Sequence, residues 1–283
     1  MSHDRVVAPS RWHHAGVSRL GSTALAITLA GVITLAAYAD LALVGAAVVL
    51  TQLLIAFAPS PVDPSGRTIR SPHLVAALAA GAVATVVTLV PGILDGADGT
   101  SSRVVGSTDH GMLAGVVPAI AVAVFVALVG QMLRSDGRPD LVSSTAYAVT
   151  LGVFAAMTTG WIGAAQSLGD AEVVAVGAAG LAAGLVVWLV PIDRFVCASM
   201  AVLAGAGGGA AVAANVDSPM TWLFGVAVGS ATALFAVLGQ VLGRAWSRGR
   251  THAAAGWGFP GAMSVALVGP LVYVGGQLIG AGL

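Results

Sequence analysis

Along the chain, long charge-free apolar runs alternate with short polar turns, and most of the turns carry arginine. The clearest run, GMLAGVVPAIAVAVFVALVGQML, holds 23 residues without a charge and then breaks into RSDGRPD. At 1.5 Å per residue a helix of this length covers ~35 Å, enough to cross a ~30 Å hydrocarbon core with some tilt. Backbone amides find no water inside such a core, so the run is predicted to be helical. The same pattern predicts nine helices, at about 21–39, 41–58, 73–90, 111–133, 144–166, 172–190, 195–216, 220–242 and 254–278. The expected fold is therefore all-α: a polytopic helical membrane protein of about nine transmembrane helices. It forms a single domain over 21–283 behind a polar tail at 1–20.

The turns sharpen the boundaries. Asp40 separates the first two runs with hardly any loop, which predicts a tight antiparallel hairpin. Ala37-Tyr38-Ala39 resembles a signal-peptidase site, but the run before it is as long as a full span and another follows at once. Ser71-Pro72 reads as a helix start, with serine at the N-cap and proline at the first helical position, and Asp217-Ser218-Pro219 repeats it. Asp193 beside Arg194 reads as half of an interfacial ion pair. The AGAGGGAA stretch gives Gly205, Gly207, Gly208 and Gly209 as a helix-packing face, since small side chains let backbones approach closely in lipid. Pro260 and Pro270 mark the last helix for a break, because proline removes a backbone bond and clashes one turn back. A bend near Pro270 is expected there, packed against the glycine face at 205–209.

Charge fixes an expected orientation. With the N-terminus in the cytoplasm, eleven of the twelve arginines fall in cytoplasmic segments and only Arg103 outside. Eleven arginines against five aspartates leave +6 inside, and one arginine against seven acids leaves −6 outside. Such asymmetry follows the positive-inside rule and puts the C-terminus on the extracytoplasmic side. Charged residues make up 8% of the chain, against roughly 25% in soluble domains, so a soluble enzyme is excluded. The exclusive use of arginine with abundant alanine, glycine and valine suggests a high-GC bacterial genome, hence a bacterial cytoplasmic membrane. Cys197 is the lone cysteine, so no disulfide framework is available.

Candidate chemistry is sparse. No Asp, Glu, Lys or Arg falls in the middle third of any predicted span, whereas proton relays and ion-coupled carriers place such residues there. Gln52, Gln131 and Gln240 lie toward the cytoplasmic ends of three equivalent spans, part of a weak repeat. They either line a polar cavity or bond across to neighbouring helices, the latter being the commoner use. The loop at 95–102 offers Asp95, Asp98, Thr100 and Ser101 as hard oxygen ligands but lacks EF-hand spacing, and Asp109-His110 is a lone pair. No metal site, catalytic residue, cofactor or nucleic-acid partner is expected. Trp12, Trp188, Trp222, Trp246 and Trp257 fit an aromatic belt, with Trp161 either belt or core. No nucleophile elbow, zinc motif or P-loop is present. Arg134, Asp136, Arg138 and Asp140 form the nearest thing to an interfacial charge cluster. The favoured expectation is a non-enzymatic partner or scaffold in a membrane or envelope complex, contacting lipid and other membrane proteins or copies of itself. A permease or exporter for a small neutral or lipidic substrate is the first alternative. A lipid-modifying enzyme at the cytoplasmic face is the second.

Overall fold

The computed structural model describes residues 12–60, 68–90, 112–135, 140–216, 220–247 and 253–280. Its helices are α1 (Trp12–Ala39), α2 (Leu41–Ala56), α3 (His73–Leu89), α4 (Met112–Met132), α5 (Leu141–Met157), α6 (Gly160–Ala165), α7 (Asp170–Trp188), α8 (Arg194–Ala213), α9 (Trp222–Ser247) and α10 (Ala253–Gly280). Among the described residues, seven segments are long and apolar enough to cross a membrane, the α5–α6 stretch Leu141–Ala165 counting as one. The other two apolar helices, α2 and α3, have 16 and 17 residues, or ~24–26 Å at 1.5 Å each. All nine predicted runs are thus helical, two of them short.

Several local expectations are corrected. The first helix begins at Trp12, so nine residues expected in the tail are helical. Pro72, not Ser71, is the N-cap of α3, and it makes no side-chain cap bond; the Ser71 hydroxyl instead donates to the Ser144 carbonyl at 2.9 Å. Asp193 is the N-cap of α8, with no ion pair among the described residues: its carboxylate accepts from the amides of Phe195 (2.9 Å) and Val196 (3.2 Å). That use follows from the orphan amides at a helix start. Asp40 does the same for α2, accepting from Ala42 at 2.7 Å. Thr221 accepts from the Phe224 amide at the start of α9, while Asp217-Ser218-Pro219 lies outside the described residues.

The helix that breaks is not the one with two prolines. α10 runs without interruption through Pro260 and Pro270, whereas the fifth run stops at Met157 and restarts at Gly160. The cause is local. The Thr158 and Thr159 hydroxyls donate back to the carbonyls of Ala155 (2.6 Å) and Ala156 (2.7 Å). Those carbonyls would otherwise take the amides of Thr159 and Gly160, so the hydroxyls compete with the helical ladder. The Thr159 amide turns to Ala156 and the Trp161 amide to Thr158, both three residues back.

α10 is the hub. It contributes Val265, Val268 and Val272 to the largest core cluster, Phe259, Met263 and Ala266 to a second and Tyr273 to a third. Of its most apolar window 67% is buried, against 22% for α8, which places α8 at the periphery. Small residues set the closest seams. A Cβ added at Gly205, Gly209, Gly225 or Gly229 would come within 3.0 Å of backbone oxygen on the facing helix, so α8 and α9 meet through paired G-x-x-x-G segments. The 205–209 face therefore belongs to α9 and α7, not to α10 as expected. At the depth of Pro270, α10 meets Gly160 instead. The outer surface carries large apolar side chains, among them Leu35 (73% exposed), Phe125 (67%) and Phe195 (81%), the reverse of a water-facing surface.

Candidate functional site

The three glutamines occupy three separate settings. Gln52 on α2 is 3% exposed. Its amide nitrogen donates to Thr85 Oγ1 on α3 (2.9 Å), Thr158 Oγ1 (3.1 Å) and the Ala155 carbonyl (3.2 Å). Its head group sits over Gly81, where any Cβ would collide with the carboxamide. Gln52 thus closes the break between α5 and α6, serving a carbonyl that the helix has released.

Gln131 near the end of α4 is 2% exposed. It donates to Ser144 Oγ on α5 at 2.6 Å and accepts from Arg134 Nη1 at 2.8 Å. Gln240 on α9 is fully buried. Its Oε1 accepts from Ser22 Oγ on α1 (2.8 Å) and from Arg244 Nη2 (2.9 Å), and its amide donates to the Ser22 carbonyl (3.3 Å). Two of the glutamines therefore share one device: an arginine three or four residues on is anchored to the glutamine oxygen, and a serine on another helix completes the triad. Arg244 Nη2 also donates to Ser22 Oγ at 3.2 Å, while its Nε is buried without a partner. Lying in the last turn of α9, it gains from the negative end of the helix dipole.

Among the described residues no partner is common to the three glutamines, and two described cavities, one at the entry to α3 and one between α1 and α2, are lined by none of them. Among the described bonds, Arg134 is tied to α4 and α5 and Arg244 to α1 and α9. Asp136, Arg138 and Arg248 lie outside the described residues, as do Asp95, Asp98, Thr100, Ser101, Asp109 and His110. Among the described residues no group of three or more His, Cys, Asp or Glu side chains is placed to hold a metal ion.

The remaining candidates are placed as follows. Gly208 lies against α7 and Gly207 faces open space. Trp161 is core: fully buried, it donates its indole N–H to the Val265 carbonyl of α10 at 2.9 Å. That carbonyl neighbours the one on Ala266 that Pro270 leaves without an amide. Trp222 is 59% exposed, in keeping with a belt position, but Trp188 is 9% exposed and buried. Trp246 stacks edge-on with Tyr147 and Phe154. Asn215 bonds within its own chain turn, to the Ala211 carbonyl. Ser22, Thr85 and Ser144 were not singled out by the sequence, where nothing distinguishes them from the neighbouring hydroxyls Thr23, Thr88, Ser143 and Thr145. The pairs Gly225/Gly229 and Gly239/Gly243 were detectable as G-x-x-x-G spacings.

No protein-family model, curated protein or solved structure matches the chain. Its seven long apolar helices are compatible with an integral membrane protein.

Proposed function

We propose that the chain is a non-enzymatic integral protein of a bacterial cytoplasmic membrane, crossing it with all nine apolar runs, N-terminus in the cytoplasm. It serves as a partner or scaffold within a membrane or envelope complex. The observation that carries this reading is the fate of the intramembrane polar groups. Gln52, Gln131 and Gln240 are at most 3% exposed, and each is bonded to another helix. A carrier or catalyst needs such groups turned toward a substrate, whereas here they tie the bundle together. Extraction of the full chain from its native membrane in mild detergent tests the proposal. A defined complex with other membrane proteins is expected. A chain that purifies alone and moves a small solute in proteoliposomes contradicts it.

A permease is the second reading, favoured by one feature. The α5–α6 break lies against Gly269-Pro270 of α10, so two weak points of the backbone ladder meet in the interior. Interrupted helices are how many carriers build substrate sites. Substrate-dependent flux that is lost on Thr158→Val, with the fold intact, would establish it.

A further inference from the structure

We propose that the pocket between the entry to α3 and the end of α4 binds a phosphate group, carried by an anionic phospholipid headgroup or by a free phosphate ion. The cavity measures about 410 Å³, within the roughly 300–1,000 Å³ of small-molecule sites. Its polar lining comprises Arg70, Arg134 and the hydroxyl residues Ser60, Thr68 and Ser71, and no carboxylate is among its described lining residues.

The Arg134 guanidinium and the Arg70 backbone are tied into one hydrogen-bond network. Arg134 Nη1 donates to Gln131 Oε1 (2.8 Å) and lies 3.4 Å from Ser144 Oγ. Ser144 Oγ in turn donates to the Arg70 carbonyl (2.8 Å), and the Ser144 carbonyl accepts from Ser71 Oγ (2.9 Å). The Arg134 guanidinium and the Arg70–Ser71 backbone are thereby fixed around the shared Ser144 before any ligand arrives, which lowers the entropic cost of binding. Guanidinium presents a planar fork of donors matched to phosphate oxygens. The amino end of α3 borders the same cavity through Pro72, and its first turn has no side-chain cap, so its amides add positive potential. Met132 (71% exposed) and Leu133 (81%) immediately precede Arg134 at the end of α4. An apolar skirt next to a cationic pocket is the profile of a site at headgroup depth.

The test uses the full chain in neutral detergent. Two probes are titrated: inorganic phosphate, and nanodiscs of phosphatidylcholine with and without phosphatidic acid. The variants are Arg70→Gln and Arg134→Gln, with Arg194→Gln, at the exposed first residue of α8, as the charge control. Loss of one charge-assisted contact should weaken binding by about tenfold or more, whereas the control should change it by less than about twofold. Binding of phosphatidic acid that phosphate competes away supports a site reading the phosphate group itself. Binding of the lipid without competition supports a headgroup site, and binding of phosphate alone supports an ion site. No binding of either probe, or equal weakening by Arg194→Gln, overturns the proposal. Because Arg70 is exposed and its backbone carbonyl is kept in the glutamine variant, failure to fold does not confound that arm.

Discussion

Replacing Gly160 with alanine places a methyl group against the backbone of α10. Gly160 opens α6 immediately after the threonine break and faces the backbone of α10. A Cβ there would lie under 3.0 Å from the carbonyl carbon and oxygen of Gly269 and 2.7 Å from Pro270 N, all of them backbone atoms. Ordinary contact is ~3.5 Å, so even the most distant of the three requires ~0.8 Å of retreat. Nothing flexible can absorb it, and α6 must move away from α10. The same movement stretches the 2.9 Å bond from Trp161 Nε1 to the Val265 carbonyl. Overpacking costs ~1–3 kcal/mol and the lost bond ~1 kcal/mol, together ~2–4 kcal/mol. Gly207→Ala on α8 is the matched control, because a Cβ there meets nothing within 4 Å; it should stay within ~0.5 kcal/mol of wild type. Reversible unfolding in mixed micelles, followed by tryptophan fluorescence, measures both. Equal stability of Gly160→Ala and wild type, or an equal loss in Gly207→Ala, would refute the packing assigned to the break.

Other substitutions probe the polar triads. Gln52→Leu removes the donor to Thr85, Thr158 and the Ala155 carbonyl and should cost ~1–2 kcal/mol in the same unfolding assay. In a double-mutant cycle with Thr85→Val the coupling should be ~0.6 kcal/mol; no coupling would mean the bond is not formed. Gln240→Leu deprives the Arg244 guanidinium of one of its two acceptors and should cost ~1.5–3 kcal/mol, partly recovered by also changing Arg244 to Leu. Cys197 is 2% exposed, and its thiol points at the carbonyls of Val187 and Val190. Maleimide should therefore label it slowly in the folded protein and rapidly after denaturation in SDS, and prompt labelling of the folded protein would contradict its placement.

The nine helical runs are legible in the sequence because a hydrocarbon environment leaves the backbone one solution and charge marks the ends. What is not legible follows from the same chemistry. Glycine and alanine are spread over every helix, so the AGAGGGAA stretch announces close packing without naming its partner. Only the coordinates pair Gly205 and Gly209 with Gly225 and Gly229. The prolines of α10 point to a break that the helix does not show. The threonine pair that does interrupt a helix contains no residue that forbids one, and its effect depends on hydroxyl rotamers and on Gln52 arriving from α2. The glutamines are visible as the polar exceptions in apolar runs, but their serine and threonine partners lie 13 to 218 residues away. The arginines read as topology signals, and Arg134 and Arg244 additionally anchor glutamines because each lies about one helical turn from its own.

Substituted-cysteine labelling tests the proposed arrangement most directly. In a Cys197→Ala background, single cysteines are placed at Asp40, Leu168 and Asn215 and, separately, at Leu133 and Ile192, all of them exposed at helix ends. The nine-run topology with a cytoplasmic N-terminus requires that a membrane-impermeant maleimide, added to intact expressing cells, label the first three. Leu133→Cys and Ile192→Cys should react only after the membrane is opened. Labelling of both groups alike in intact cells, or of the second group alone, would contradict it.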